Sequence, residues 1–130
     1  MDILKIEATK YTPDICFEPE NHSLQIKGES YPENTMEFYS PLFDYLKKYL
    51  ALPEVLPLTV NVDLIYFNSS SSKTLINLFD LLDAVAKEGR SITINWIYES
   101  DDEDNLEFGE EFAEDLEHVR FNLVAKEVGA

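Results

Sequence analysis

The stretch Leu58-Thr59-Val60-Asn61-Val62-Asp63-Leu64-Ile65-Tyr66-Phe67-Asn68-Ser69-Ser70-Ser71-Ser72-Lys73 decides the fold. Its first part places Leu58, Val60, Val62, Leu64 and Tyr66 in alternation with Thr59, Asn61, Asp63, Ile65 and Phe67, the period of a half-buried strand. Beyond the serines, Leu75, Leu78, Phe79, Leu82, Val85 and Ala86 recur at helical spacing, which predicts a helix over about 71–88 ending at Gly89. Alternation returns from Ser91 to Tyr98, with Ile92, Ile94, Trp96 and Tyr98 on one side. Strand, helix, strand in that order implies a parallel pair joined by a right-handed crossover. Both strands carry polar residues on their second side, among them Asn61, Asp63, Thr93 and Asn95. A parallel strand covered on both faces reads as continuously apolar, so the helices are expected on one face and the other face open.

Working outward, Ile3 to Ala8 reads as a first strand. Ile15-Cys16-Phe17 and Leu24-Gln25-Ile26 read as the arms of a hairpin around Pro19-Glu20-Asn21-His22, where Pro19 and Asn21 form turns. A helix is expected near 33–51, with Met36, Tyr39, Phe43, Leu46 and Leu50 in one stripe and Phe38, Leu42, Tyr45 and Tyr49 in a second. Pro41 predicts a kink, or a restart capped by Ser40. Pro53 to Pro57 is a connector, Leu106, Phe108, Phe112 and Leu116 fit an amphipathic helix over about 104–117, and residues 121–125 read as a last strand. The expected architecture is one α/β domain over residues 1–130, a mixed β-sheet with an N-terminal hairpin and helices mainly on one face.

Composition bounds the function. With 45% hydrophobic residues the 130-residue chain can bury a core, and no apolar run is long enough for a transmembrane helix. Met1-Asp2-Ile3-Leu4-Lys5 has no cationic region followed by an apolar one, so no signal peptide is expected. Cys16 is the only cysteine, which excludes an internal disulfide and fits a cytoplasmic protein. A formal charge of −16 opposes phosphate backbones and anionic bilayers, so neither nucleic-acid binding nor membrane insertion is expected. From Glu99 to Glu117 the chain carries many acids and no base, which reads either as a solvated helix face or as a surface for a basic partner.

The serine run lies where a strand hands over to a helix. The first N–H groups of a helix lack internal partners and sit in the positive end of its dipole. Ser69 or Ser70 can cap that helix; a phosphate on either would meet free donors, with Lys73 about one turn on. A second turn, Gly28-Glu29-Ser30-Tyr31-Pro32-Glu33-Asn34, opens the first long helix. Ser30 and Glu33 have capping-box spacing, although Tyr31, pushed from helical angles by Pro32, is an alternative cap.

Together the Gly28–Asn34 turn and Tyr66-Phe67-Asn68-Ser69-Ser70-Ser71-Ser72-Lys73 resemble the two signature stretches of the SiaC family of bacterial regulatory phosphoproteins, whose fold is STAS-like, that of the anti-sigma-factor antagonists. Phe43-Asp44-Tyr45-Leu46 and the Leu-Phe-Asp-Leu-Leu helix at 78–82 extend the likeness over most of the chain. The resemblance implies a partner switch. A Ser/Thr protein kinase phosphorylates the hydroxyl after the loop asparagine, a PP2C-type phosphatase removes the phosphate, and the unphosphorylated form binds and activates a diguanylate cyclase, raising cyclic di-GMP and promoting aggregation or biofilm growth. By position the acceptor is Ser69, with Ser70 and Ser71 as alternatives, and Tyr31, Pro32, Glu33, Asn34, Tyr66, Asn68, Ser70 and Lys73 form the implied partner surface.

An enzyme is not expected: His22 and His118 belong to no nucleophile or metal motif, and no phosphate-binding glycine loop is present. Asp101-Asp102-Glu103-Asp104 lacks the Gly and terminal Glu of an EF-hand, and no metal or cofactor is assigned. Asp80 and Asp83 read as solvated or packed against Lys87. The rival reading is an anti-sigma-factor antagonist acting on an anti-sigma kinase, against which the Gly28–Asn34 motif stands.

Overall fold

A computed structural model of the chain describes residues 1–53 and 56–127; two residues of the Pro53–Pro57 connector, 54 and 55, lie outside that range. Six strands form one sheet in chain order: β1 (Leu4–Ile6), β2 (Asp14–Glu18), β3 (Ser23–Ser30), β4 (Leu58–Phe67), β5 (Ile92–Glu99) and β6 (Arg120–Lys126). The first three pair antiparallel and the last three join in parallel. The arms of β2 and β3 meet around a 3-10 turn at Pro19–Asn21, closed by His22 in the left-handed region (φ 50°). Three crossovers carry α1 (Thr35–Leu50), α2 (Ser69–Lys87) and α3 (Glu103–Glu114). Successive parallel neighbours joined by right-handed crossovers put all three helices on one face.

The core lies between that face and the helices. Leu58, Val60, Val62 and Leu64 of β4 and Ile92, Ile94 and Trp96 of β5 point into it, each at most 3% exposed. The opposite face is open and polar, as the alternation predicts. Its centre is a ladder in which Asn95 Nδ2 donates to Asn61 Oδ1 (2.9 Å) and Asn122 Nδ2 donates to Asn95 Oδ1 (3.0 Å). Lys126 Nζ pairs with the buried Asp63 carboxylate at 2.8 Å on the same face.

Several local features differ from what periodicity alone predicts. Strand β4 does not alternate to its end. Gly28 faces Leu64 but Glu29 faces Tyr66, so Ile65 is an extra residue in a β-bulge, and Gly28 at φ 126° takes a backbone angle that suits glycine. The bulge reverses the pattern beyond it: Tyr66 turns outward, 53% exposed, while Phe67 packs on Trp96 and Phe112. In α1 the core stripe is Tyr39, Leu42, Leu46 and Tyr49, cutting across both expected stripes, and Met36 is left 83% exposed. Pro41 does not restart the helix; it lies on the exposed side of a continuous α1, where a missing N–H is readily tolerated by solvated backbone. The cap of α1 is neither Ser30 nor Tyr31 but Asn34, whose Oδ1 accepts from the Glu37 N–H at 3.0 Å.

Asp83 has a different role from the expected one. It makes no ion pair with Lys87 and instead accepts from the N–H groups of His118 (2.8 Å), Val119 (3.0 Å) and, more weakly, Glu117 (3.4 Å). Burial pushes its carboxyl up, but these backbone donors outweigh it and leave the pKa below the ordinary carboxylate value. A depressed pKa adds stability above the unfolded value of about 4, which is lost as pH falls through the folded value. Replacing Asp83 with Ala is expected to cost about 1 kcal/mol at neutral pH, as for a lost cap. Denaturant titrations of both proteins should show that gap closing in acid; a gap that persists unchanged below the folded pKa contradicts the assignment.

Candidate functional site

Helix α2 begins earlier than its apolar periodicity suggests, because Asn68 caps it. The Asn68 Oδ1 accepts from the Ser71 N–H at 2.9 Å, and the Asn68 carbonyl accepts the first helical bond from Ser72. Neither Ser69 nor Ser70 is therefore the cap. They are the first two residues of the helix, and both are exposed. Their N–H groups precede the first intrahelical bond and sit in the positive end of the dipole. No acidic residue occupies this first turn, and Lys73, also exposed, forms no ion pair among the described residues.

Ser71 is different. It is fully buried, and its Oγ donates to the Ser30 carbonyl at 2.9 Å and lies 2.7 Å from Ser30 Oγ. Ser30 Oγ in turn lies 2.6 Å from the Tyr39 hydroxyl. Burial pushes that hydroxyl up to about 12, and its bond to Ser30 pulls weakly the other way. The Ser30 carbonyl also accepts from the Asn68 N–H at 3.0 Å. Ser30 thus fastens the two sequence motifs together, 41 residues apart in the chain. As an alternative phosphoacceptor Ser71 is withdrawn, since its hydroxyl is enclosed.

The other residues of the implied surface converge on this clasp. Tyr31 stands edge-on between Tyr66 (5.5 Å between centroids) and Tyr11 (5.3 Å), and its N–H donates to the Tyr11 carbonyl. Partial desolvation, and then the Glu29 carboxylate, hold its hydroxyl above the ordinary tyrosine value. Glu33 and Asn34 are exposed, and with Ser70 and Lys73 they line a groove between the starts of α1 and α2. Pro32 lines the same groove but is buried, so its part is to shape the turn. Tyr11, Tyr39 and Met36 belong to the site as well, Met36 lining this groove. The helical period marks Tyr39 and Met36 only as part of a stripe on α1, and nothing marks Tyr11, because each reaches the site through tertiary packing.

Replacing Ser30 with Ala removes a hydroxyl that serves two others. A loss of about 1–3 kcal/mol in denaturant unfolding is expected, the range for leaving buried polar groups unsatisfied. Stability equal to the parent's would mean that the clasp contributes nothing.

These features define a mixed α/β, STAS-like protein with a hydroxyl-bearing helix start held at its surface. A family model described as SiaC family regulatory phosphoprotein matches residues 6–126, and the chain belongs to that family. It is similar to SiaC of Pseudomonas aeruginosa, with a TM-score of 0.89 at 32% identity over 97% of this chain and 100% of that one. It is also similar to SiaC in the crystal structure of the diguanylate cyclase SiaD in complex with its activator SiaC from the same organism, with a TM-score of 0.90 at 33% identity, covering 95% and 99% of the two chains. An uncharacterized protein of Pseudomonas aeruginosa strain UCBPP-PA14 is 35% identical over 115 residues, 88% of this chain and 90% of its own.

Proposed function

We propose that this chain is a phosphorylation-controlled partner switch whose unphosphorylated form binds and activates a diguanylate cyclase. The observation that carries the proposal is the likeness to a SiaC solved in complex with the cyclase it activates. Ser69 is the proposed acceptor and Ser70 the alternative, both exposed at the start of α2. The partner surface is assigned to Tyr31, Glu33, Asn34, Tyr66, Asn68, Ser70 and Lys73. A Ser/Thr kinase and a PP2C-type phosphatase set the phosphorylation state in the cytoplasm, and the output is cyclic di-GMP and with it aggregation or biofilm growth. The chain itself carries no catalysis. Among the described residues no helix is long and apolar enough to cross a membrane.

The mechanism follows from charge. Phosphorylation adds about −1.5 to −2 charges and a hydrated group. A partner that covers this helix start must strip water from that dianion, and Lys73 is the one nearby cation among the residues lining the neighbouring groove. The anti-sigma-factor-antagonist reading is not favoured, because the similar solved chains are SiaC proteins.

The test adds the purified, unmodified protein to the diguanylate cyclase of its own organism and follows cyclic di-GMP synthesis. Synthesis is expected to rise with added protein and saturate. A cyclase indifferent to it, together with recovery of an anti-sigma kinase in a pull-down, reverses the choice.

A further inference from the structure

We infer that the groove between α2 and α3 receives an amphipathic helix whose apolar stripe is bordered by Lys and Arg. For the identity of the partner, the cyclase that the chain activates, this rests on the proposed function; the chemistry of the occupant is read from the groove itself.

The groove has an apolar floor and an acidic rim. Ile76 and Phe108 remain 46% and 44% exposed on the floor, unusual for large apolar side chains facing each other across two helices. Asp80, Glu111, Glu114 and Asp115 stand around them, and no basic residue lines the groove. Among the described residues none of these four carboxylates is in an ion pair. In a chain of net charge −16 the missing cations are best supplied from outside. An occupant that covers Ile76 and Phe108 and meets the rim needs apolar residues flanked by cations.

The walls select a helix over a strand. Both are helices whose backbone groups are bonded internally, so there is no free sheet edge for an added strand to pair with, and side-chain ridges are what a helix packs into. The groove runs along α2 from Ser72 to Asp80, a length of about 12 Å, or roughly two helical turns.

The groove also reaches the proposed switch. Ser69, Ser72 and Ile76 are spaced three and four apart on α2, so they share one face. Phe108 belongs both to this groove and to a neighbouring hollow formed with Ile65 and Tyr66, which continues the apolar strip toward the loop. A helix seated between α2 and α3 therefore brings one end over Ser69. The acidic rim that takes the cationic borders lies further along α2 and α3, so a phosphate on Ser69 would sit at the covered end of the occupant and have to give up its water there.

The experiment titrates the cyclase with the parent, with the rim variant Asp80→Lys/Glu111→Lys/Asp115→Lys, with Ile76→Ser, and with a control, Glu7→Lys/Glu20→Lys/Glu88→Lys. The control makes the same change in net charge at exposed positions that line no part of this groove. Thermal unfolding confirms that each variant folds. Rim and floor variants are expected to weaken binding by about tenfold or more near physiological salt, with the control within about threefold. Equal losses for rim and control reduce the effect to bulk charge and overturn the groove assignment; unchanged binding by the rim and floor variants overturns it as well, while leaving the cyclase reading intact. Should the parent not bind the cyclase, that reading falls by itself. The groove is then judged with a synthetic helical peptide of about 16 residues, a Leu stripe bordered by Lys, against the same peptide bordered by Glu. Preference for the Lys peptide that is lost in the rim variant but kept in the control supports the groove, and absence of that difference overturns it.

Discussion

Ser69→Asp is expected to lose cyclase binding while Ser69→Ala keeps it. The two substitutions separate function from stability because of where Ser69 lies. It is exposed and does not cap α2, a task that falls to Asn68. Alanine there therefore removes no buried contact and should change stability by no more than about 0.5 kcal/mol. Aspartate in the first turn of a helix is favourable to the fold by roughly 0.3–1 kcal/mol. The variant should thus be slightly more stable and yet bind worse. The opposition of signs is the useful part, since a variant that failed through misfolding would move both quantities the same way. A phosphate at this position carries more charge than aspartate. If covering it costs about 4 kcal/mol, binding falls roughly a thousandfold; the aspartate variant should show a smaller loss, about tenfold or more. Calorimetric titration of the cyclase with each variant makes the comparison, and equal affinities for the two would remove charge as the cause.

The largest stability effect is expected at Trp96. Its ring is 1% exposed at the junction of the sheet with α2 and α3. It packs 5.1 Å from Phe112, 5.7 Å from Phe67 and 6.4 Å from Phe79 between ring centroids, and its Nε1 donates to the Asn105 carbonyl at 3.0 Å. Helix α3 comes so close that a Cβ on Gly109 would stand 2.5 Å from Trp96 Cδ1. Glycine at 109 and tryptophan at 96 are therefore two halves of one contact. Trp96→Ala leaves a large cavity and takes the indole donor from the Asn105 carbonyl, a cost of about 3–5 kcal/mol. Against a total of roughly 5–15 kcal/mol for a domain, that is enough to bring the protein near unfolding. Denaturant titration followed by circular dichroism is the right probe, since the only tryptophan is the residue replaced. A midpoint close to the parent's would show that α3 is held by other contacts. The same variant should also weaken any binding that uses the α2–α3 groove, because α3 forms one of its walls.

The sequence carries the frame of this molecule and loses the details that tertiary contacts decide. The parallel unit of β4, α2 and β5 is legible because apolar residues repeat at two different periods on either side of the serines. The open face is legible from Asn61 and Asn95, although the ladder they build with Asn122 is not. The bulge at Ile65 is invisible in the alternation, and without it Tyr66 would point inward and Phe67 outward. Helix caps fail for a related reason. Ser30 has the spacing of a capping box, but its hydroxyl is drawn into the core by Tyr39 and Ser71, and Asn34 takes its place. The same clasp explains why four serines in a row are not equivalent. The helix start turns Ser71 into the core and leaves Ser69 and Ser70 outside, a distinction that only the position of the Asn68 cap reveals.

The proposed switch requires that a hydroxyl at the start of α2 carry a reversible phosphate. Phosphopeptide mass spectrometry on the protein taken from its native cells, before and after treatment with a PP2C-type phosphatase, tests this directly. A phosphate on Ser69, present before treatment and gone after it, is the expected result. A protein phosphorylated only in another segment, or carrying its phosphate on the enclosed Ser71, would contradict it.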